Sequence, residues 1–397
     1  MKHKSMRLLP ERSYFQGKRT IIRADLNVDI VADKIIDDFR IRRALSTIKE
    51  ISPRARYTLL VSHRGSFECP NDYTETLEPV AKHLSRLLGR NVYFLEGSVE
   101  SVRYALEKLP DHAIALLENI RWYKGERENS TKFAKQLAQL TDVFVNDAFG
   151  EIHRREASIV AITKFVPSFA GLLLQDELRH LDNLSTSPRR PFAVLMGGAK
   201  LYTKLPLIKR FLRIADAVLV GTALANTFIA AQGNRIGKSL QEKKFIFKAK
   251  AMLRNQSLII PDDYVVSPRV LAGKGKVTRG SLSSNSYIVD IGPETAKTFS
   301  SLLEKAGTIF WNGPVGCFEH APFANGSRAV AKAILGNTKA FKVIGGGDTL
   351  ELLKPLLRRK PKVKNFFIST GGGAMVSYLA GIKLPGIEAL KKQYERR

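Results

Sequence analysis

Short apolar runs with the composition of β-strands recur along the chain, and this rhythm limits the fold more than any other feature. Each run ends in Gly, Asn, Asp or His before a helical stretch begins, an alternation typical of a parallel α/β sheet. Ligands of open parallel sheets bind beyond the carboxyl ends of the strands, so the turns after these runs should hold the functional residues. The runs are RTIIRADLNV, RYTLLVSHRG, AIALLENIRW and DVFVNDAFG in the first part, then PFAVLMGGAK, DAVLVGTALANTF, YIVDIGPET, TIFWNGPVG, FKVIGGGDT and FFISTGGG.

The segment between the two series predicts a domain boundary. PSFAGLLLQDELRHLDNLSTSPRRP has the pattern of one amphipathic helix followed by a Ser/Thr/Pro-rich linker near 185–191. We therefore predict two doubly wound, Rossmann-like α/β domains at residues 1–166 and 188–370, joined by a hinge helix and linker at 167–187. Closure of a cleft between two such domains would exclude water from a reactive phosphate.

The composition is that of a folded protein without a disulfide framework. The 397 residues are 44% hydrophobic and 25% charged, enough for two cores. Cys69 and Cys317 are far apart and have no His or Cys at metal-ligand spacing, which fits a reducing cytoplasm. The amino terminus lacks the apolar stretch of a secretory signal, and no apolar run is long enough to span a bilayer. We expect a soluble, cytoplasmic protein.

The formal net charge of +27 leaves two interpretations open. Such a surface attracts nucleic acid or membranes, or it holds small polyanions. The basic residues are spread along the chain and accompany no RNA-binding strand motif or zinc finger. Nucleic-acid binding as the primary function is therefore the less favoured interpretation.

Three consecutive glycines in VIGGGDTLELL follow a strand-like run and precede a helical stretch. Without side chains, Gly345, Gly346 and Gly347 allow backbone N–H groups to approach a phosphate at a helix amino terminus. Asp348 is placed to hold magnesium, and Thr349 to hydrogen-bond a phosphate oxygen. A Gly-rich turn by itself is as often a plain tight connection, but a second triplet in STGGGA favours the phosphate-binding interpretation.

Three further motifs of the second part resemble phosphate- or nucleotide-binding elements. Lys200 ends GGAK and Lys204 lies one helical turn later, so both ammonium groups can reach one phosphate chain. In WNGPVGCFE a rigid turn follows a strand, and Glu319 could accept hydrogen bonds from ribose hydroxyls. By chemistry alone, a plain turn with a solvated Glu is the favoured interpretation. GNRIGKSL ends like a Walker loop but has Gln232 where the first glycine should stand, which predicts a surface turn.

A set of Arg, His, Asp and Asn residues lies just beyond the apolar runs of the first part. Guanidinium groups bind carboxylate and phosphate through paired hydrogen bonds, so several that converge predict an anionic substrate. Taken singly, each Arg is more often a surface or ion-paired residue, and a lone His is more often buried than catalytic. The candidates are Arg23, Asp25, Asn27, Arg40, His63, Arg121, His153 and Arg154.

Phosphoryl transfer to or from a carboxylate fits the absence of a Ser-His-Asp order, metal-spaced histidines or an obvious carboxylate pair. A carboxylate is already deprotonated at neutral pH and needs no general base. Positioning and charge neutralisation by Arg, Lys, backbone amides and magnesium then suffice.

Taken together, these motifs resemble the phosphoglycerate kinase family in their order and spacing. The resemblance runs nearly end to end, through RADLNV, DDFRIRRAL, LLVSHRG, LLENIRW, FVNDAFG, GGAK, IGKSL, DIGPET, WNGPVGCFE, VIGGGDT, STGGGA and LPGIEAL. It implies reversible phosphoryl transfer from 1,3-bisphosphoglycerate to ADP, giving 3-phosphoglycerate and ATP, with Mg²⁺ and hinge closure. It also implies a monomer whose tail, 371–397, packs back onto the first domain.

The resemblance assigns roles to residues. It implies substrate binding by Asp25, Asn27, Arg40, His63, Arg121 and Arg154. It implies catalytic roles for Arg40, Lys200, Lys204 and Gly346, of which Arg40 stabilises the transferring group. It implies nucleotide binding by Lys200, Lys204, Gly221, Gly292, Asn312, Glu319, Gly345, Gly346, Gly347, Asp348 and Thr349, with Asp348 on the metal.

Three motifs depart from the family pattern. The usual His-x-Gly-Arg reads His63, Arg64, Gly65, Ser66, so Arg64 stands two residues early and either reaches the phosphate or points elsewhere. The usual His-Arg-x-His ends in Glu156, which opposes phosphate binding if it faces the site, unless Arg155 or Arg154 neutralises it. The glycines expected after Gly221 read Thr222 and Ala223, which predicts a tighter or altered purine pocket.

These departures leave two hypotheses. The favoured one is an active phosphoglycerate kinase with an altered phosphate site, because Arg40, Lys200, Lys204, Glu319 and Asp348 remain. The alternative is a kinase-like binding protein with weak or no turnover that uses its basic surface to bind nucleic acid.

Overall fold

The structure, a computed structural model, describes residues 6–65, 73–359 and 365–395. The strands are β1 (Arg19–Arg23), β2 (Ile30–Val31), β3 (Lys34–Ile35), β4 (Tyr57–Val61), β5 (Val92–Leu95), β6 (Ala113–Leu117), β7 (Val143–Asn146), β8 (Ser168–Ala170), β9 (Phe192–Met196), β10 (Ala217–Val220), β11 (Leu258–Ile259), β12 (Asp263–Ser267), β13 (Lys276–Arg279), β14 (Tyr287–Ile291), β15 (Thr308–Asn312), β16 (Phe341–Gly345) and β17 (Phe366–Ile368).

Helices alternate with most of these strands. They are α1 (Phe39–Ile51), α2 (Glu78–Leu88), α3 (Val99–Glu107), α4 (Lys124–Arg127), α5 (Thr131–Gln139), α6 (Leu172–Thr186), α7 (Leu201–Phe211), α8 (Thr222–Ala231), α9 (Ile246–Met252), α10 (Pro293–Lys305), α11 (Asn325–Gly336), α12 (Gly347–Arg359), α13 (Gly372–Leu379) and α14 (Pro385–Glu395). Short 3-10 helices lie at Arg12–Phe15, Tyr73–Glu75, Ile120–Trp122, Phe149–Glu151, Ala161–Lys164, Lys243–Phe245 and Ala321–Phe323.

The chain divides into two compact units. Unit 1 comprises Met1–Arg179 and Ile382–Arg397, and unit 2 comprises His180–Gly381. The division falls inside α6, whereas the sequence predicted domains that end at 166 and begin at 188. The beginning of α6 belongs to unit 1 because the N–H groups of Leu173 and Leu174 donate to the buried Asp147 carboxylate at 3.0 and 3.2 Å.

The tail crosses back at a later residue than the predicted 371. Helix α13 packs against α7 and belongs to unit 2, whereas α14 packs against β8 and the 3-10 helix Ala161–Lys164 in unit 1. One backbone hydrogen bond, from Gly386 N to Ile152 O at 3.0 Å, ties the tail to unit 1. Residues 382–395 are therefore the described part of the tail that packs with the first unit.

Unit 1 is built on a parallel sheet of strand order β5-β6-β4-β1-β7-β8. Every residue of β4 and β6 is buried, as expected for strands covered on both faces. Alternation sends Ile22 and Leu60 into the core beneath α1 and α2, while Ile21 and Leu59 enter the core beneath α3 and α5. The sheet is thus doubly wound, with helices on both faces.

Unit 2 repeats this plan with a second parallel sheet of order β11-β10-β9-β15-β16-β17. Leu195, Trp311 and Ile344 of neighbouring strands share one core cluster with α10 and α11. These two sheets confirm the predicted fold class of two Rossmann-like α/β domains.

One apolar run of the predicted parallel series pairs differently. YIVDIGPET forms β14 and the start of α10, but β14 lies in a separate antiparallel sheet of order β13-β12-β14. Alternation of apolar residues does not specify strand direction, so the sequence pattern could not distinguish the two arrangements.

Strand register brings together the turns that hold the predicted site residues. Met196 at the end of β9 pairs with Val220 and Asn312, and Asn312 pairs with Gly345. In unit 1, Arg23 at the end of β1 pairs with Val61 and Asn146. Because these strands end side by side, the turns that follow them meet at one edge of each sheet.

Candidate functional site

Asp25 and Arg40 form an ion pair beyond the end of β1 in unit 1. Nη1 of Arg40 donates to both carboxylate oxygens of Asp25, at 2.8 and 3.0 Å. Asp25 is buried, whereas the Arg40 side chain is 36% exposed. Burial raises the pKa of Asp25, and the positive charge of Arg40 opposes that rise. The pair leaves part of the guanidinium open to an anion from solvent.

Asn27 and Arg121 meet at the backbone of Gly65. The N–H of Gly65 donates to Oδ1 of Asn27 at 3.1 Å, and Nη1 of Arg121 donates to the Gly65 carbonyl at 3.0 Å. The residues that follow β1, β4 and β6 are therefore joined directly.

Glu151 connects three of the predicted residues, although the sequence reasoning did not single it out. Its carboxylate accepts from Nη2 of Arg121 at 2.7 Å, lies 3.7 Å from Nε of Arg154 and lies 3.5 Å from Nε2 of His63. Its place in the run FVNDAFGEIHRRE, between two predicted motifs, was the signal available for it.

His63 is fully buried. Burial lowers its pKa well below 6.5, and the charges of Arg23 and Arg121 lower it further. Its Nδ1 lies 3.4 Å from Nη2 of Arg23. The imidazole ring therefore lies between the Arg23 guanidinium and the Glu151 carboxylate. His153 is half-buried, and burial likewise lowers its pKa.

Glu156 is buried between two arginines and does not face solvent. Its Oε1 lies 3.4 Å from Nη2 of Arg121, and its Oε2 lies 3.8 Å from Nη2 of Arg23. Its carboxylate is therefore paired with Arg23 and Arg121, which the sequence interpretation did not consider. Both partners are far away in the sequence.

Arg23 also contacts a second buried pair, Ser158 and Glu126, through Ser158. Its Nε donates to Oγ of Ser158 at 2.9 Å, and Ser158 donates through Oγ and N to Glu126 at 2.5 and 2.8 Å. Burial raises the pKa of Glu126 to about 7. Glu126 and Ser158 thus fix the orientation of Arg23, and the sequence motifs gave no sign of either.

Arg64 is engaged with backbone. Its Nε donates to the Val28 carbonyl at 3.2 Å, and its Nη1 donates to the carbonyls of Thr76, at 3.1 Å, and Thr74. The Arg64 guanidinium therefore joins the backbone of residues that follow β1 to that of the segment before α2. Ser66 lies outside the described residues.

Two loops of unit 2 pack backbone against backbone. A side chain on Gly197 would lie 1.8 Å from the Pro314 carbonyl oxygen, and one on Gly313 would lie 2.6 Å from Gly197. This contact joins the GGAK turn after β9 to the NGP turn after β15, and only glycine permits it.

The Lys204 side chain reaches the backbone of both loops. Its Nζ donates to the Gly197 carbonyl and lies 3.4 Å from the Asn312 carbonyl. Burial lowers its pKa to about 8, and the charge of Asp348 opposes the shift. A largely desolvated ammonium whose partners among the described residues are carbonyls would gain from contact with a phosphate anion.

The glycine triplet follows β16 and begins α12. Nδ2 of Asn312 donates to the Gly345 carbonyl at 2.9 Å, and Oγ1 of the buried Thr349 accepts from Gly313 N at 2.7 Å. Gly346 has a φ of 103°, a conformation that L side chains rarely adopt. Gly347 and Asp348 are exposed at the helix amino terminus.

The remaining predicted nucleotide residues are less closely linked. The side chains of Lys200 and Glu319 are exposed and make no hydrogen bond or ion pair with other described residues. A side chain on Gly292 would meet the Asp263 carboxylate at 2.2 Å, and one on Gly221 would meet Cα of Val315 at 2.6 Å. Packing alone therefore accounts for glycine at these two positions.

Thr222 turns inward. Its Oγ1 donates to the Val315 carbonyl at 2.8 Å and its side chain is buried, whereas Ala223 is half-buried. Of the two substitutions expected to narrow a purine pocket, only Ala223 is therefore partly open to solvent. The Walker-like segment GNRIGKSL forms a turn, in which the N–H of Lys238 donates a hydrogen bond to the Ser286 carbonyl at 2.8 Å.

Among the described residues, no group of three or more His, Cys, Asp or Glu side chains could hold a metal ion. Magnesium commonly takes one or two carboxylates and completes its shell with water and substrate phosphates. The exposed Asp348 carboxylate, at a helix start next to the triplet, fits that requirement.

Comparison with known proteins gives consistent matches. A family model described as phosphoglycerate kinase matches residues 11–382. The chain is 41% identical over 383 residues to a phosphoglycerate kinase of Pelotomaculum thermopropionicum, covering 94% of this chain and 96% of the relative. It is 39% identical over 384 residues to that of Bdellovibrio bacteriovorus, covering 94% and 95%.

Solved structures agree with these sequence matches. The structure of phosphoglycerate kinase from Coxiella burnetii has a TM-score of 0.81 and 37% identity, covering 95% of this chain and 97% of that chain. The enzyme from Pyrococcus horikoshii has a TM-score of 0.82 and 31% identity, covering 96% and 98%.

Proposed function

The chain belongs to the phosphoglycerate kinase family, and we infer from that membership how its residues divide the reaction. The enzyme is a phosphotransferase that moves the acyl phosphate of 1,3-bisphosphoglycerate to ADP, reversibly, giving 3-phosphoglycerate and ATP in glycolysis and gluconeogenesis. The observation that carries this function is the family match across residues 11–382. The same comparisons give no support to the binding-protein alternative.

The cluster in unit 1 is proposed to bind the phosphoglycerate. Arg40, Arg121 and Arg154 supply positive charge, while Asp25, Asn27 and His63 orient them or the substrate. The attacking or leaving group is a carboxylate, so no proton need be removed and catalysis consists of positioning and charge neutralisation. Arg40 is proposed as the catalytic cation, and its partly exposed guanidinium, fixed by Asp25, supports that role.

The cluster in unit 2 is proposed to bind ADP or ATP. Lys200, Lys204 and the N–H groups of the glycine triplet are assigned to the phosphates, as befits a helix amino terminus. Gly221, Gly292, Asn312, Glu319 and Thr349 complete the proposed nucleotide contacts. Asp348 is proposed to hold Mg²⁺, which would neutralise charge on the phosphates. Lys200, Lys204 and Gly346 are the proposed catalytic residues of this unit.

Direct transfer requires the two ligands to meet, so we propose hinge closure between the domains in a monomeric, cytoplasmic enzyme. The membership in this family supports that view. In the described residues, no helix combines the length and apolarity needed to cross a membrane.

A coupled assay of ATP formation from 1,3-bisphosphoglycerate, ADP and Mg²⁺ tests the function. We expect saturable turnover that depends on both substrates. Well-folded protein without activity above background would contradict it, and salt-dependent binding of RNA at micromolar affinity would then point to the alternative.

A further inference from the structure

A cleft in unit 1, apart from the phosphoryl-transfer residues, is lined by basic side chains from separate parts of the sequence. Its volume is about 910 Å³, within the range of about 300–1,000 Å³ usual for small-molecule sites. Four segments contribute to the lining of the cleft: the amino-terminal segment, the HRRE run, a 3-10 helix and the carboxyl-terminal tail. Their basic residues are Arg7, Arg155, Lys164, Lys383 and Lys392.

These five cations face a single lining carboxylate, that of Glu388. Glu388 already accepts a hydrogen bond from Nζ of Lys391 at 3.2 Å. Within the described part of the chain, none of the five cations has a carboxylate at ion-pair distance. Unpaired charges of one sign in a concave surface concentrate ions of the opposite sign.

The cleft is separate from the substrate cluster although the two are adjacent in sequence. The Arg154 side chain lies 3.7 Å from the Glu151 carboxylate within the cluster, whereas Arg155 lines the cleft. Phe165, Pro167 and Ala389 add apolar walls, which lower the local dielectric and strengthen the attraction between the cations and an anion.

We propose that this cleft is a second anion-binding site, which takes a small molecule bearing two or more phosphate groups. One phosphate is too little charge for five cations drawn from four chain segments, whereas a polyphosphate can contact several at once. The tail contributes Lys383 and Lys392, so the site exists only when α14 is packed on unit 1.

Calorimetric titration of the full chain with inorganic tripolyphosphate tests the site. The titration is done with saturating 3-phosphoglycerate and ADP and without magnesium, so that the phosphoryl-transfer site is filled. We expect one site per chain that persists under these conditions. The double variant Lys383→Glu/Lys392→Glu should bind tripolyphosphate at least tenfold more weakly.

The matched control is Lys108→Glu/Lys132→Glu, which makes the same change in net charge at two exposed lysines elsewhere in unit 1. The tripolyphosphate affinity of this control variant should stay within twofold of that of the unaltered protein. If charge reversal loosens the tail, the double variant Lys383→Gln/Lys392→Gln, which removes the two charges without reversing them, replaces Lys383→Glu/Lys392→Glu in the same titration. Equal losses in both pairs, loss of binding when the substrates are present, or tighter binding of hexa-aspartate than of tripolyphosphate would overturn the proposal.

Discussion

Nη1 of Arg40 donates to both carboxylate oxygens of Asp25, and the acceptor is buried while the donor remains partly exposed. This arrangement holds the guanidinium in one orientation before substrate arrives. Groups that are already oriented toward developing charge contribute more to the transition state than to substrate binding.

We predict that Arg40→Ala lowers kcat by about 10²-fold or more, while KM changes by less than about tenfold. Steady-state kinetics measure both quantities. Arg42→Ala is the control, because Arg42 lies on the same helix but is exposed and pairs with Asp38 at 2.8 Å; its kinetics should be nearly unchanged. A rise in KM with kcat intact would remove the catalytic role from Arg40.

Asp348→Asn should abolish most of the magnesium-dependent gain in ADP affinity. The substitution keeps the shape of the side chain but removes the negative charge that a hard divalent cation prefers. Calorimetry with and without Mg²⁺ measures the gain, and binding of metal-free ADP should stay the same. Glu351→Gln, an exposed position later in α12, should retain the gain. If Asp348→Asn retains it too, another group holds the metal.

Lys204 should make nucleotide binding depend on pH. Burial lowers its pKa to about 8, so the free enzyme loses this charge as the pH rises through that value. A bound phosphate favours the charged form, so ADP binding near pH 8.5 should take up part of a proton, and affinity should fall above about pH 8.

Calorimetry in two buffers with different ionisation enthalpies measures that uptake. Lys204→Met should show none of it, while Lys209→Met, an exposed position on the same helix, should keep it. Proton uptake that survives in Lys204→Met would show that a different group is responsible.

Glu156→Gln should destabilise unit 1 by about 3–5 kcal/mol, because it leaves the buried charges of Arg23 and Arg121 without one of their carboxylates. Urea unfolding followed by a probe in unit 1 measures the change. Glu128→Gln, at an exposed position, should cost less than about 0.5 kcal/mol. A loss of similar size in both variants would mean that Glu156 is not a structural counter-ion.

Sequence alone determined that two doubly wound α/β domains form, and it predicted which turns hold the candidate site residues. Strands, helices and glycine turns are specified by neighbouring residues, and parallel sheets align their turns at one edge. His63 and the Gly345–Gly347 triplet could therefore be assigned to turns at strand ends, whereas Arg40 lies in the first turn of α1.

Only the tertiary structure decided the surroundings of those side chains. Glu156 is neutralised by Arg23 and Arg121, Thr222 turns toward Val315, and Lys204 is desolvated. Burial and charge pairing depend on residues that are distant in sequence, and a motif does not contain that information. Glu151 and Glu126 remained unnoticed for the same reason, because their importance comes from what they contact in the folded chain.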